Sequence, residues 1–323
     1  MKVSISDYTI YFCKTYSNIT KVLWVCTYGI AVYVNQVKGA DKDMKKRGKL
    51  FITLVGVLSM LITIPVFAVE EQSVPDKIQQ IANGSDDIYG EGVPIEHGAN
   101  LDGRYQSGGI DHTHQYIVAN ALTILNNDQG NSIFNDDLNS RVLMEATDWP
   151  DKFGNETDYG TFSGHFYDPD TGKNWMGQKS PTARTRAETY YKDAVAKYNQ
   201  GDVDAAIDLL GKGTHYVSDL NEPHHASNLT VLNSNHSEFE KYVDKNRKNY
   251  KIDGNSFDKQ VYEEAIDTQI GDLMYAGAKY GKSLVEEAKN EKTYDDAGDK
   301  SVRHAIQNVT QYIYKFGCEV GIY

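Results

Sequence analysis

The sequence predicts an all-α fold, a single multi-helix domain spanning residues 101–323, on three observations. Beyond Thr113, apolar residues recur at i, i+3 and i+4, the spacing that lines one face of a helix. Alternation with a period of two, the mark of a half-buried strand, is sustained nowhere in that span. Turn-prone stretches and capping residues stand between the periodic runs, where helices start and stop. In order, Ile117, Ala121, Leu122 and Ile124 form a first stripe that closes in Asn126-Asn127-Asp128-Gln129-Gly130. Leu138, Val142 and Ala146 form a second, closed by Pro150. Residues 150–178 are rich in Gly, Asp and aromatics, and Asp168-Pro169-Asp170-Thr171-Gly172 reads as a surface turn. Residues 181–200 and 202–219 predict a helical pair hinged at Gly201-Asp202. Asn235 or Ser234 caps a helix to about Asn249, and further helices are expected over 257–290 and 298–316. Although 323 residues could hold two average domains, no second folded domain is expected.

The first hundred residues differ in character. Met44-Lys45-Lys46-Arg47-Gly48-Lys49 supplies a basic start, Leu50 to Val66 an apolar run, and Val66-Phe67-Ala68 a small-x-small cleavage pattern. That order is the layout of a secretory signal peptide, so residues 44–68 are read as one and the mature protein as secreted. The competing reading is a single membrane anchor, because the run approaches spanning length. Residues 1–43 are then an upstream extension, untranslated or unstructured, with Met44 as the native start. Lys38-Gly39-Ala40 can be back-translated to contain a ribosome-binding sequence. A second membrane segment around Val22–Val34 is the rival reading, but it is short and interrupted by polar residues. Residues 69–100 are acidic and Gly-rich without period, and read as a loop or pro-segment.

Composition excludes some functions. Residues 69–323 carry 24 Lys/Arg against 42 Asp/Glu, a balance that repels nucleic acid and anionic lipid and tolerates polyvalent cations. Only Cys13, Cys26 and Cys318 occur, so there is neither a disulfide framework nor a thiolate metal site. Any metal must be held by nitrogen and oxygen.

The chemistry lies in the histidines, all of which fall beyond residue 96. His215 and Asp219 are four apart on a predicted helix and share a face. Pro223 breaks that helix, His225 follows, and a second i, i+4 pair, His236 and Glu240, opens the next. Taken alone, one such pair is more often a surface or capping arrangement. Two pairs around a further His within 26 residues point to metal, and imidazole and carboxylate are ligand types zinc accepts besides thiolate.

The string His215-Tyr216-Val217-Ser218-Asp219-Leu220-Asn221-Glu222-Pro223-His224-His225-Ala226-Ser227-Asn228 resembles the signature of bacterial zinc-dependent phospholipases C, H-Y-x-[GT]-D-x-x-x-P-x-H-[PA]-x-N. It departs at Ser218, where the pattern has Gly or Thr, with a similarly small residue. Thr113-His114 with Ile117-Val118 is similar to the family's first zinc histidine on its first helix. Asp148 before Trp149 resembles the aspartate that binds zinc from a chain reversal. Phe162-Ser163-Gly164-His165-Phe166-Tyr167-Asp168-Pro169-Asp170 resembles F-x-x-H-F-[YW]-D-P-D. The resemblance runs in one register from residue 101 to 323.

It implies a helical domain with three zinc ions. One would be held by Asp148, His165, His215 and Asp219, and a second by His225, His236 and Glu240 with positions open for water and substrate. The third would be held by His114, the bridging Asp219 and the amine and carbonyl of the mature N-terminal residue, a tryptophan in the family. Leu101-Asp102-Gly103-Arg104 stands in place of the family's W-D-G-K, so Leu101 takes that role if cleavage frees its amine. Without cleavage, the third site is weak, absent, or held by Asp111 or His112. His224, His97 and His304 receive ordinary readings, as a neighbour of a ligand pointing elsewhere and as surface residues.

The implied reaction is hydrolysis of the glycerol-side phosphodiester of phospholipids such as phosphatidylcholine, giving diacylglycerol and a phosphorylated headgroup. Clustered zinc lowers the pKa of bound water to about 7 and clamps both reacting oxygens. Asp148 would ligate and orient the attacking water, with Glu240 as the second candidate. Trp149 and Phe162 stand where the family's choline-facing aromatics stand, and aromatic faces attract a quaternary ammonium; core packing is the plainer reading of both. Asp102 is the candidate acidic counterpart. A single-strand nuclease or nucleotidase of the related trinuclear zinc fold is the alternative, disfavoured by the acidic body. A catalytically silent zinc-binding surface protein is another. The implied partner is phospholipid at a membrane surface. No nucleic acid or protein partner is implied, and a monomer is expected. The chain ends directly after the helical domain, so weak haemolysis is also expected.

Overall fold

The computed structural model describes residues 73–97, 106–158 and 160–323, together with the backbone of four short segments within residues 2–31; of residues 94–97 and 106–109 too it describes the backbone. The chain divides into two compact units, Met1–Ala68 and Val69–Tyr323. In the first, β1 (Lys2–Ile5), β2 (Tyr8–Cys13), β3 (Val22–Thr27) and β4 (Ile30–Ala31) pair antiparallel in sequence order. The backbone there is thus paired in part, where an unstructured extension was one expectation. The signal-like residues 44–68 and Leu101 lie outside the described residues. No helix among the described residues is long and apolar enough to cross a membrane.

Among its described residues the second unit is all-α apart from one hairpin. It opens with α1 (Asp76–Ala82) and the antiparallel strands β5 (Val93–His97) and β6 (Gln106–Asp111). The segment expected to be a loop therefore contains a helix, and its Ile78 and Ile81 are fully buried. Seven residues offer too few turns for a period to be read, yet two isoleucines on one face suffice to dock it on α2 (Thr113–Gln129). Helix α3 (Asp137–Thr147) begins where the Asp136 side chain accepts from the backbone N–H of Leu138 and Asn139. The antiparallel pair α4 (Ala183–Asn199) and α5 (Val203–Asn221) turns at Gly201, whose φ of 83° suits glycine. Then come α6 (His236–Asn246), α7 (Lys259–Asp267), α8 (Ile270–Ser283), the short α9 (Val285–Ala288) and α10 (Tyr294–Val320). The helical stretch expected over 257–290 is divided at Thr268-Gln269, where the backbone is extended.

Helix α5 is the axis of the molecule. It packs on α3, α4, α8 and α10, and every residue from Gly213 to Asn221 is buried. Two glycines make this possible. A Cβ at Gly211 would strike the Leu143 carbonyl of α3, and one at Gly213 would strike the Tyr312 hydroxyl of α10. This close approach sinks the last two turns of α5, which carry His215 and Asp219, into the interior.

Candidate metal centre

Four stretches of chain meet around the end of α5. His215 and Asp219 come from that helix, and the helical period puts them on one face. His114 sits in the first turn of α2, and His165 in a 3-10 turn at Ser163–His165. His225 opens another 3-10 turn just past Pro223, while His236 and Glu240 occupy the first turns of α6. His165 Nδ1 lies 3.0 Å from Asp219 Oδ2 and 2.9 Å from His215 Nε2, and His215 Nε2 lies 3.2 Å from Asp219 Oδ2. His236 Nε2 is 2.9 Å and His225 Nε2 3.5 Å from Glu240 Oε1, and His225 Nδ1 is 3.2 Å from Asp219 Oδ1. Asp219 thus lies between the two halves of the site, as a bridging ligand must.

The expectation for Asp148 is corrected here. Asp148 ends α3 and is buried behind the site, its Oδ2 accepting from Gln115 Nε2 at 2.7 Å. The carboxylate that joins the histidines is Asp151, three residues on: its oxygens stand 3.3 Å from His215 Nε2, 3.4 Å from His165 Nδ1 and 3.8 Å from His114 Nε2. Both aspartates flank Trp149-Pro150, and the turn closed by Lys152 N–H to the Trp149 carbonyl carries the second one back to the cluster. Glu222 was also missed. Its Oε2 lies 3.7 Å from His236 Nε2, and it groups with His225 and His236 at ligand spacing. Three such groups exist among the described residues: His114, Asp151 and His215; His165, His215 and Asp219; Glu222, His225 and His236.

The donor set fits zinc. His215 Nδ1 faces the Thr147 carbonyl at 2.9 Å, which can only accept, so this nitrogen carries the proton and Nε2 turns its lone pair to the carboxylates. Acceptors facing acceptors need a cation between them, either protons or metal. Without metal, protons take that place. Burial pushes the His215 and His225 imidazoles down, but the adjacent carboxylates outweigh it and hold both well above the ordinary value. Burial raises the Asp219 carboxyl, and the positive His215 and His225 outweigh that and hold it well below the carboxylate range. His114 is the reverse case, lowered to about 4 by burial and then by the His215 charge. Among the described residues, buried nitrogens of His114 (Nδ1), His165 (Nε2) and His236 (Nδ1) have no hydrogen-bond partner, which is costly unless another ligand takes them.

Outside the ligands, the turn bearing His165 is braced by Arg186. The guanidinium fills the space a Cβ would take at Gly164, and it reaches Glu156 at 2.9 Å and the Tyr216 hydroxyl at 2.5 Å. Phe162 begins this turn at φ 51°, a sterically costly conformation for a non-glycine, and its ring lies 5.5 Å from that of His165. It lines, with the ligands, a cavity of about 290 Å³. Trp149 does not line that cavity, and Lys212 Nζ stands 4.2 Å from its ring centroid. His112 belongs to none of the ligand groups found among the described residues, and its Nδ1 faces Asp244 at 3.1 Å. His304 is half-buried, stacked on Tyr280 at 3.9 Å with Nδ1 2.6 Å from Asn221 Oδ1. His224 points to Glu222 and Asn235, as expected. The side chain of His97 lies outside the described residues.

A family model described as zinc dependent phospholipase C matches residues 113–284, a span holding every member of the three ligand groups. The phospholipase C of Paraclostridium bifermentans is 31% identical over 236 residues, covering 64% of this chain and 59% of that protein. A phospholipase C of Bacillus cereus is 32% identical over 196 residues, covering 56% of this chain and 65% of that protein. The matched region thus spans less than two thirds of either relative. Among solved structures, the alpha toxin from Clostridium absonum superposes with a TM-score of 0.57 at 24% identity, covering 64% of this chain and 63% of that one. That likeness concerns the fold, and it agrees with the all-α domain.

Proposed function

The chain belongs to the zinc-dependent phospholipase C family, and from that premise we propose that it hydrolyses the glycerol-side phosphodiester of phospholipids, releasing diacylglycerol and a phosphorylated headgroup. The observation that carries this reading is the convergence of His114, His165, His225 and His236 with Asp151, Asp219 and Glu240 on one cavity, with His215 buried behind Asp151 and Asp219. An all-nitrogen-and-oxygen set of this kind holds zinc, which when bound polarises phosphoryl oxygens and supplies a nucleophile at neutral pH. Two ions would be held by Asp151, His165, His215 and Asp219, and by His225, His236 and Glu240.

The chain's own groups supply the rest. Asp151 is partly exposed at the cavity and takes the role first expected of Asp148, orienting the attacking water and accepting its proton. Glu240 is exposed to a similar degree and faces the same space. Phe162 offers an aromatic face for a quaternary ammonium headgroup, an attraction of about 0.5–2 kcal/mol.

A third ion would rest on His114, Asp219 and the freed amine of Leu101. Beside His114 and Asp219 lies a small second cavity whose walls include Ile117, Phe239, Val243, Val302 and Ala305. An aliphatic side chain anchored there would place a new N-terminus at the ligands. Cleavage before Leu101 would open the connection between β5 and β6, so secretion would be followed by processing. The protein would act outside the cell, as a monomer.

N-terminal sequencing and metal analysis of protein from culture medium, with turnover of phosphatidylcholine, test this. A start at Leu101, three zincs and diacylglycerol release are expected. Bound zinc with no hydrolysis of any phosphodiester would overturn the reading.

A further inference from the structure

The exposed apolar side chains are unevenly placed. Of the eight large ones that the described residues leave exposed, two line the metal-bearing cavity and two more adjoin residues that line it. Leu232 is 77% exposed and Trp175 39%, and both stand at the cavity's edge. Met176, 47% exposed, follows Trp175 in the same turn. Phe153, 69% exposed, lays its ring against Gly160, which also borders the opening. The two loops that carry Trp175 and Leu232 are tied together, since Asn228 Nδ2 donates to the Lys173 carbonyl at 3.1 Å. Water exposure of this kind costs free energy, and such residues collected at one opening mark a surface that is covered in use.

We propose that this rim docks the protein on zwitterionic phospholipid bilayers, with Leu232, Trp175, Met176 and Phe153 entering the interfacial layer and the cavity opening directly onto the headgroups. The inference rests on the phospholipase reading and names how its substrate is presented. Three features favour a bilayer over a protein partner. The rim is continuous with the cavity that receives the lipid, so one approach serves both. Tryptophan at a water–lipid boundary is favoured because its ring is apolar and its N–H wet. Exposed Lys152 precedes Phe153 and exposed Lys173 stands two residues before Trp175 in the sequence, and basic side chains of this length can reach lipid phosphates from an apolar rim. The excess of carboxylates over the rest of residues 69–323 opposes a strongly anionic membrane.

The test compares phosphatidylcholine packed in vesicles with a short-chain phosphatidylcholine kept below its micelle concentration. Met176→Glu, which borders the mouth without lining the cavity, is expected to lower turnover on vesicles about tenfold and leave turnover of the monomeric lipid unchanged. Leu232→Glu should lower vesicle turnover further. Equal losses on both substrates, or none on vesicles, would overturn the proposal. Cosedimentation with vesicles of a phosphatidylcholine whose glycerol-side oxygen is a methylene reads docking without hydrolysis. The native chain should pellet, Met176→Glu should not, and anionic lipid should weaken binding; stronger binding to anionic vesicles would overturn the zwitterionic assignment. A native chain that pellets but hydrolyses neither lipid would sink the phospholipase reading and leave the docking surface standing.

Discussion

Two acidic clusters in this protein sit on opposite sides of one distinction. At the end of α5, Asp151 and Asp219 face imidazoles alone, and the hydrogen bonds and ion pairs they make are with histidines. In the turn Asp168–Gly172, Asp168 pairs with Lys282 at 2.5 Å and Asp170 with both Lys279 and Lys282 at 2.9 Å. The lysines hold the Asp170 carboxyl down at about 2. A carboxylate with a permanent cation beside it is already satisfied and binds no ion. One facing histidines is satisfied only by exchangeable protons, and metal can replace those protons. Two Asp residues two apart before a glycine look metal-like in sequence, yet tertiary lysines quench them.

The largest expected effect comes from breaking the bridge. His215→Ala or Asp219→Asn should cost at least one bound metal by mass spectrometry and lower turnover by roughly a thousandfold or more, since each removes a ligand of the first ion and Asp219 also serves the third. Next, Asp151→Asn should lower activity about a hundredfold or more with loss of metal, whereas Asp148→Asn should keep metal content and cost less than about tenfold. The reverse order would restore Asp148 as the ligand. A pH titration sharpens the same point in metal-free protein. Burial, then the charge of Asp151, raise the Asp148 carboxyl to about 7 against the hydrogen bond from Gln115. A raised carboxyl holds its proton longer in the folded state, so its contribution to stability is full at acid pH and falls as pH rises from about 4 to 7. Asp148→Asn should therefore raise Tm at pH 8 and leave it near the native value at pH 4. Smaller still, Phe162→Ala should raise KM for phosphatidylcholine several-fold while Trp149→Ala changes it less than twofold, reflecting about 1 kcal/mol for one aromatic–ammonium contact. Last, Lys282→Ala should leave zinc content unchanged in the native metal solution; a gain of bound metal at Asp168 and Asp170 would show that the lysines alone keep that turn empty.

What the sequence by itself determined is whatever helix geometry transmits. His215 with Asp219, and His236 with Glu240, are four residues apart, and one turn of helix must put each pair on a common face. The all-α class and the main helix boundaries follow from the same periodicity and from caps such as Asp136 and Gly201. Beyond the helix ends that logic stops. Asp148 and Asp151 are both plausible in sequence, and only the path of the turn after Thr147 decides that Asp151 faces the histidines while Asp148 turns to Gln115. Trp149 could have lined the cavity, but it does not, and Lys212 on α5 stands over its ring. The short α1 lacked enough turns to show a period, and its burial against α2 comes from long-range packing. Glu222 joins the metal centre only because the chain reverses at Pro223 and brings α6 back beside it. Local periodicity is written in neighbouring residues, while the direction of a side chain on a loop is set by whatever distant surface it meets.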